Sequence, residues 1–299
     1  MTAANSSLGL DTITFNIEGE GPHSVALTSE LPTITAPVVI DGYAQPGASA
    51  NSNTPAQGTN AVILIDLNGS SAGPSANGLV GINVGDFPTN HVVEGNYIGT
   101  DVTGSVALGN GSHRVEIFCC GTNISIGGSS AGTGNVISGN SGSVIFVGDS
   151  SVAVNIQSNL IGTGSGMTNL GNVAHGVYVL ESDDSSIGGT ANGAGNAISF
   201  NGGAGVALDL FGHTGNAILS NSMFFNGDLG IYLGDDRPTP NDPEDADTGV
   251  SGGNKLQNSR TSSTPRSYLA ETWRSSTRSI RPRETRATRS ESNSSARTL

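Results

Sequence analysis

The chain repeats itself, and the period of the repeat leaves few folds open. Ile126-Gly127-Gly128 leads to Gly134-Asn135-Val136-Ile137-Ser138-Gly139-Asn140. The phrase returns 61 residues later as Ile187-Gly188-Gly189 leading to Gly195-Asn196-Ala197-Ile198-Ser199-Phe200-Asn201. Asn96-Tyr97-Ile98-Gly99-Thr100 returns as Asn159-Leu160-Ile161-Gly162-Thr163, an offset of 63. Inside this lies a finer rhythm. An asparagine stands five residues ahead of an apolar residue at Asn110/Val115, Asn140/Ile145, Asn172/Val177, Asn201/Val206 and Asn226/Ile231, in steps of 30, 32, 29 and 25. Two coils of roughly 30 residues therefore make one long repeat, a period that belongs to solenoids and arrays.

Each coil holds short β segments: Gly176 to Leu180, then around Ile187, then Asn196 to Phe200, separated by Gly, Asn and Ser turns. Segments this short bury nothing alone, but stacked coil on coil they pair with their equivalents and line a shared interior. The expected fold is thus all-β, a parallel β-helix. A propeller needs more strands per repeat and aromatic signatures that are missing, and a sandwich does not explain the 61-residue echo. Composition agrees, since 44 glycines and a single lysine, Lys255, do not suit a helical domain. The two cysteines, Cys119 and Cys120, are adjacent and cannot build a disulfide framework or a zinc site. No apolar run is long enough for a membrane helix, so no membrane insertion is expected.

Charge divides the chain. Residues 1–254 carry 22 acids against Arg114 and Arg237, a formal −20, whereas residues 255–299 carry Lys255 and nine arginines against three glutamates, a formal +7. The expected organisation is a β-helix over residues 1–258 and an Arg/Ser/Thr-rich tail over 259–299, disordered or derived from a frameshift. The acidic body argues against nucleic acid as a partner and suits an extracellular protein that meets cations or neutral glycans.

Ile40-Asp41-Gly42-Tyr43-Ala44-Gln45-Pro46-Gly47-Ala48-Ser49, Gly95-Asn96-Tyr97-Ile98-Gly99-Thr100-Asp101, Gly132 to Asn140 and Leu229-Gly230-Ile231-Tyr232-Leu233-Gly234 resemble bacterial right-handed parallel β-helix repeat proteins of the pectin-lyase-like superfamily. The likeness runs over about residues 8–258. It implies a right-handed coil and an extracellular or cell-surface location. In that family Leu10-Asp11-Thr12-Ile13-Thr14-Phe15 follows a helical cap and a secretion signal. A chain starting Met1-Thr2-Ala3-Ala4-Asn5 is therefore read as truncated at its cap, with no signal peptide.

Most asparagines are expected to be structural. Asn135, Asn140, Asn196 and Asn201 tolerate turn conformations and can hydrogen-bond along the stack. Four residues past the anchoring apolar position fall Cys119, Asp149, Glu181, Leu210 and Asp235, with Asp209 one place earlier than Leu210. Asp149, Glu181 and Asp209 thus form a candidate binding set, an acidic ladder near Asp183, Asp184 and Asp236, open either to calcium or to solvent alone. A second acidic cluster, Asp235, Asp236, Asp242, Asp245 and Asp247, is the candidate calcium site, although it lacks the EF-hand pattern.

Two functions remain open, beside a third reading in which calcium stabilises the solenoid and serves folding alone. One is a structural, adhesive or carbohydrate-binding role, with extracellular polysaccharide or other cell-surface material as partner. The alternative, implied by the resemblance, is a calcium-dependent pectate-type lyase with Arg237 as the base and calcium held by Asp235 and Asp236. The polygalacturonase-type signature is absent, Arg114 lies where other repeats have Gly or Val, and His23, His91, His113, His175 and His213 show no metal spacing. Tyr97, Tyr178 and Tyr232 recur on strands and bear on glycan binding.

Overall fold

The computed structural model describes residues 2–234 except 8, 27, 30, 54–59, 69–81, 86, 110–114 and 210–212. Nearly all its regular structure is strand, in three all-parallel sheets and one parallel pair, with two single-turn 3-10 helices, Ala4–Ser6 and Gly42–Ala44. Sheet I stacks Ile82–Val84, Val115–Ile117, Ile145–Val147, Val177–Val179, Val206–Leu208 and Ile231–Tyr232. Sheet II stacks Asp11–Ile13, Val38–Asp41, Val92–Glu94, Ser125–Gly127, Asn155–Gln157, Ser186–Gly188 and Ala217–Leu219. Sheet III stacks Tyr97–Ile98, Val136–Ile137, Leu160–Ile161, Ala197–Ser199 and Ser222–Phe224. From Ile82 onward the chain visits I, II and III in turn and then begins again one layer further along, which makes a parallel β-strand solenoid.

The anchoring apolar residues of the sequence rhythm, Val115, Ile145, Val177, Val206 and Ile231, are direct register partners in sheet I. Between the sheets lies one core. Sheet II points Ile40, Val93, Ile126, Ile156 and Ile187 inward, and sheet III adds Ile98, Ile137, Ile161 and Ile198. Like residues fall on like because a parallel, in-register stack puts each side chain above its equivalent, and β-branched side chains fit that pleated spacing. Burying each of these isoleucines is worth about 1.5–3 kcal/mol.

The corners are held by two ladders of asparagine. At the II–III corner Asn96, Asn135, Asn159, Asn196 and Asn221 stack. Each side-chain oxygen accepts from both the backbone amide and the side-chain amide of the asparagine one coil earlier, at 2.8–3.2 Å. The remaining side-chain protons reach backbone oxygens: Asn159 donates to Ile126 at 2.9 Å and Asn196 to Ile156 at 2.8 Å. At the III–I corner Asn140, Asn172, Asn201 and Asn226 form a second ladder: Asn172 Oδ1 accepts from the Asn140 backbone amide, Asn201 Oδ1 from the Asn172 side chain, and Asn226 Oδ1 from both amides of Asn201. Aligned amide dipoles in a dry interior polarise one another, so each step strengthens its neighbours.

The glycines of the repeated phrase belong to this device. Gly127 (φ 73°) and Gly188 (φ 83°) are left-handed, and a Cβ there would meet Asn159 and Asn221 of the next coil. Long connections leave from these points on alternate coils. From sheet II to sheet III the chain needs a long excursion after Gly127 and Gly188 but turns at once after Glu94, Gln157 and Leu219. The sheet III to sheet I connection is long after Ile98 and Ile161, short after Ile137 and Ser199. Alternating turns therefore make the double-coil period. The excursion after Ile161 brings Met167 back onto Val136, Leu160 and Ala197, which with Tyr97 form a second apolar cluster on the outside of sheet III. The outer row of sheet III is thus covered at Val136, Leu160 and Ala197, while Ser222 on its last strand is exposed.

Two predictions follow from these contacts. Asn159→Ala leaves the Asn135 backbone amide without its acceptor and removes the side-chain donor to Asn196 Oδ1 and the Ile126 carbonyl, and is expected to cost about 2–5 kcal/mol, whereas Asn155→Ala on the outer face of sheet II costs within about 0.5 kcal/mol. Urea melts of the two variants check this, and equal losses would remove the ladder from the account. His91 is buried, with Nδ1 accepting from the Val38 amide at 3.1 Å and no partner for Nε2 among the described residues. Burial pushes its pKa down to about 4 from 6.5. The unfolded chain takes up this proton first, so the stability His91 contributes is complete above pH 6.5 and is lost as the pH falls toward 4, a change on the order of 3 kcal/mol. His91→Gln should flatten that part of the pH profile, and an unchanged slope would show that other groups produce it.

Candidate functional site

Sheet I presents a continuous outer row: the middle residue of each three-residue strand points outward between two buried neighbours, and Tyr232 continues the row on the last strand beside the partly exposed Ile231. Register aligns Asn83, Glu116, Phe146, Tyr178, Ala207 and Tyr232 into one row along the solenoid. Asn83 donates to Glu116 at 3.3 Å. Beyond them the row turns aromatic. The Phe146 and Tyr178 ring centroids are 5.7 Å apart. Tyr178 and Tyr232 lie two layers apart, about 9–10 Å by strand spacing, with buried Ala207 between them.

His175 bridges that interval. It sits in the III–I turn just before Val177, and its ring centroid lies 5.7 Å from Tyr178 and 6.2 Å from Tyr232, stacked on the latter at 23°. Its Nδ1 accepts from the Ala204 amide at 2.9 Å, which leaves the ring proton on Nε2. Burial holds the His175 pKa below the ordinary imidazole value, with Asp228 pulling the other way. The imidazole is thus neutral at neutral pH, a donor and a flat apolar surface. Tyr178 is pushed above the ordinary phenol range by burial, then by the Asp209 carboxylate and by Tyr232.

The acidic residues picked out in the sequence border this face. Asp149 and Glu181 occupy equivalent positions on adjacent coils of the I–II corner, both left-handed (φ 50° and 51°), and the Ser150 amide donates to the Glu181 carbonyl at 2.6 Å. They fall on the repeat because the corner needs a residue that tolerates positive φ. Asp209 ends its strand, its amide bonded to the Val179 carbonyl at 3.0 Å and its carboxylate 3.5 Å from the Glu181 amide. Asp183 lies in the same turn: partial burial pushes its carboxyl up, but the Thr214 amide at 2.7 Å and His213 at 3.1 Å outweigh this and lower it. Among the described residues no three His, Cys, Asp or Glu side chains cluster closely enough to hold a metal ion. Arg114 and Arg237, and the calcium candidates Asp235, Asp236, Asp242, Asp245 and Asp247, lie outside the described residues, as does the tail. No helix among the described residues is long and apolar enough to cross a membrane.

The three recurring tyrosines part company. Tyr178 and Tyr232 share the row, while Tyr97 packs into the apolar cluster outside sheet III. Reading the sequence missed His175, whose signal was its place one turn ahead of the Val177 anchor. It also missed a cluster at the other end of the solenoid. There Asp41 and Glu94 are register partners on sheet II, and the Glu94 carboxyl is raised by burial and by Asp41. Tyr43 is pushed up to about 12, mainly by burial. Phe200, Phe224 and Phe225 gather at the III–I corner, where Phe200 and Phe225 hold left-handed positions next to ladder asparagines.

Removing the charge beside Tyr178 tests the geometry of the face. Asp209→Asn should move the Tyr178 phenol titration down toward its ordinary value, followed by ring resonances or ultraviolet absorbance. No movement would place Asp209 too far away to matter.

No protein-family model, no curated protein and no solved structure matches the chain.

Proposed function

We propose that the protein is a right-handed parallel β-helix of the pectin-lyase-like kind, working outside the cell or at its surface as a carbohydrate-binding, adhesive solenoid. The observation that carries this reading is the aromatic patch of Tyr178, His175 and Tyr232 on the outer face of sheet I. Rings of this kind offer apolar faces to the C–H faces of sugars, and nearby polar groups orient the hydroxyls. The Nε2 proton of His175 and the exposed Asp228 carboxylate supply such groups next to the rings, while the buried Asp209 carboxylate acts on Tyr178 from within. A face built by stacking extends along the solenoid axis, which suits a polymer better than a single small molecule. Tyr178 and Tyr232 are fixed in short strands and His175 is tied by its Nδ1 to the Ala204 amide, so little ordering is left to oppose binding.

The test is a binding survey of the full chain against insoluble and soluble polysaccharides. At least one should retain the protein, and Tyr178→Ala/Tyr232→Ala should weaken that retention by about tenfold or more, as expected for losing about 1.4 kcal/mol or more. The melting temperature, measured alongside, separates lost contacts from lost fold. If no polysaccharide retains the protein, or the double variant binds as well as the parent, the carbohydrate reading fails.

A further inference from the structure

Among the described residues the charge around the aromatic patch has one sign. Glu116 stands in the row itself, Asp149 and Glu181 line the I–II corner, Asp209 acts on Tyr178, and Asp228 acts on His175 from the III–I side. The described residues include no lysine and no arginine. His175 adds no positive charge, being held neutral. A ligand on this face therefore meets aromatic rings bordered by carboxylates on both sides.

We infer that this face takes an amine-bearing glycan, a polymer with free amino sugars, rather than a neutral or uronate polymer. The inference rests on the carbohydrate reading above and narrows it to a chemical class. A protonated amino sugar has two complementary parts. Its C–H face lies on Tyr178 or Tyr232, and its ammonium lies within reach of a carboxylate and over or beside a ring. The first contact is available to any sugar. The second adds charge-assisted hydrogen bonds and cation–π attraction, which a neutral sugar lacks. A uronate would instead bring a carboxylate into a field of carboxylates, where like charges oppose binding. The half-buried setting of Tyr178 and Tyr232 excludes part of the solvent and strengthens the effect of sign. N-acetylation removes the ammonium while keeping the ring, so it separates the two contributions.

The experiment is titration calorimetry of the full chain with three hexasaccharides: β-linked glucosamine, its N-acetylated form and galacturonate, at low salt and a pH at which the amine is protonated. The glucosamine hexamer is expected to bind at least tenfold tighter than the N-acetylated form, and its advantage should shrink as salt is added. Glu181→Gln/Asp228→Asn should reduce that preference. Glu18→Gln/Glu20→Gln, the same change in net charge at exposed positions remote in sequence, should leave it intact. Tyr178→Ala/Tyr232→Ala should weaken both sugars. Equal or tighter binding of the N-acetylated or galacturonate hexamer, still lost in the tyrosine variant, overturns the inference while leaving the carbohydrate reading in place. An equal loss in the Glu18/Glu20 variant also overturns it, because the attraction would then belong to the whole acidic body. No binding of the glucosamine hexamer overturns it outright, and the polysaccharide survey then decides whether the broader reading falls with it.

Discussion

The side-chain amide of asparagine is the part on which the rest of this solenoid depends. A stack of coils made of strands two to four residues long has little to prevent one layer sliding over another, because apolar ladders are tolerant of small shifts. The two asparagine ladders are not. Asn159 accepts twice from Asn135 and donates to Asn196 and to Ile126, so it is satisfied only at one rotation and one rise. The isoleucine columns supply the driving force, and the amide columns supply the register. Register then decides which residues meet on the outside. Tyr178, Ala207 and Tyr232 form a row only because their strands are held in step.

The three sheets are used differently for reasons that follow from the turns. Sheet III is covered over its middle strands, since the excursion that returns Met167 to it makes an outer cluster with Val136, Leu160 and Ala197. Sheet II presents mostly small or polar residues outward, among them Ser125, Asn155 and Ser186. Sheet I alone carries rings in line, flanked by corners that need left-handed residues and fill them with Asp149 and Glu181. Acids recruited to make a turn thereby come to border the aromatic row. Geometry and electrostatics at this face thus share one origin, the repeat itself.

Much of the fold was legible because the solenoid writes each contact several times over. The spacing from Asn140 to Ile145, repeated at Asn172, Asn201 and Asn226, marks both a ladder position and the first residue of sheet I. Asn135 and Asn196 were likewise readable as stacked, structural residues. The site was less legible, because it depends on which residues break the repeat. At the His175 position the adjacent coils have Ser143 and Ala204, and a histidine recurs only at the double-coil offset, as His113 two residues before Val115. The pairing of Tyr178 with Tyr232 rather than Tyr97 depends on strand order, and the meeting of Asp41 with Glu94 spans 53 residues, well outside the repeat length. Acids at Asp149 and Glu181 were visible as a column, but that their column follows from backbone conformation at a corner was not.

The central claim is that sugar binds to the outer row of sheet I. The most direct measurement is a map of side-chain resonance shifts over the described solenoid as a bound oligosaccharide from the survey is titrated into the full chain. The account predicts that the rings of Tyr178, His175 and Tyr232 shift together with a common affinity, while Tyr97 and the outer sheet II residues Asn155 and Gln157 stay still. Shifts centred on sheet II or on the Phe200 and Phe225 corner, with Tyr178 and Tyr232 unmoved, would contradict it.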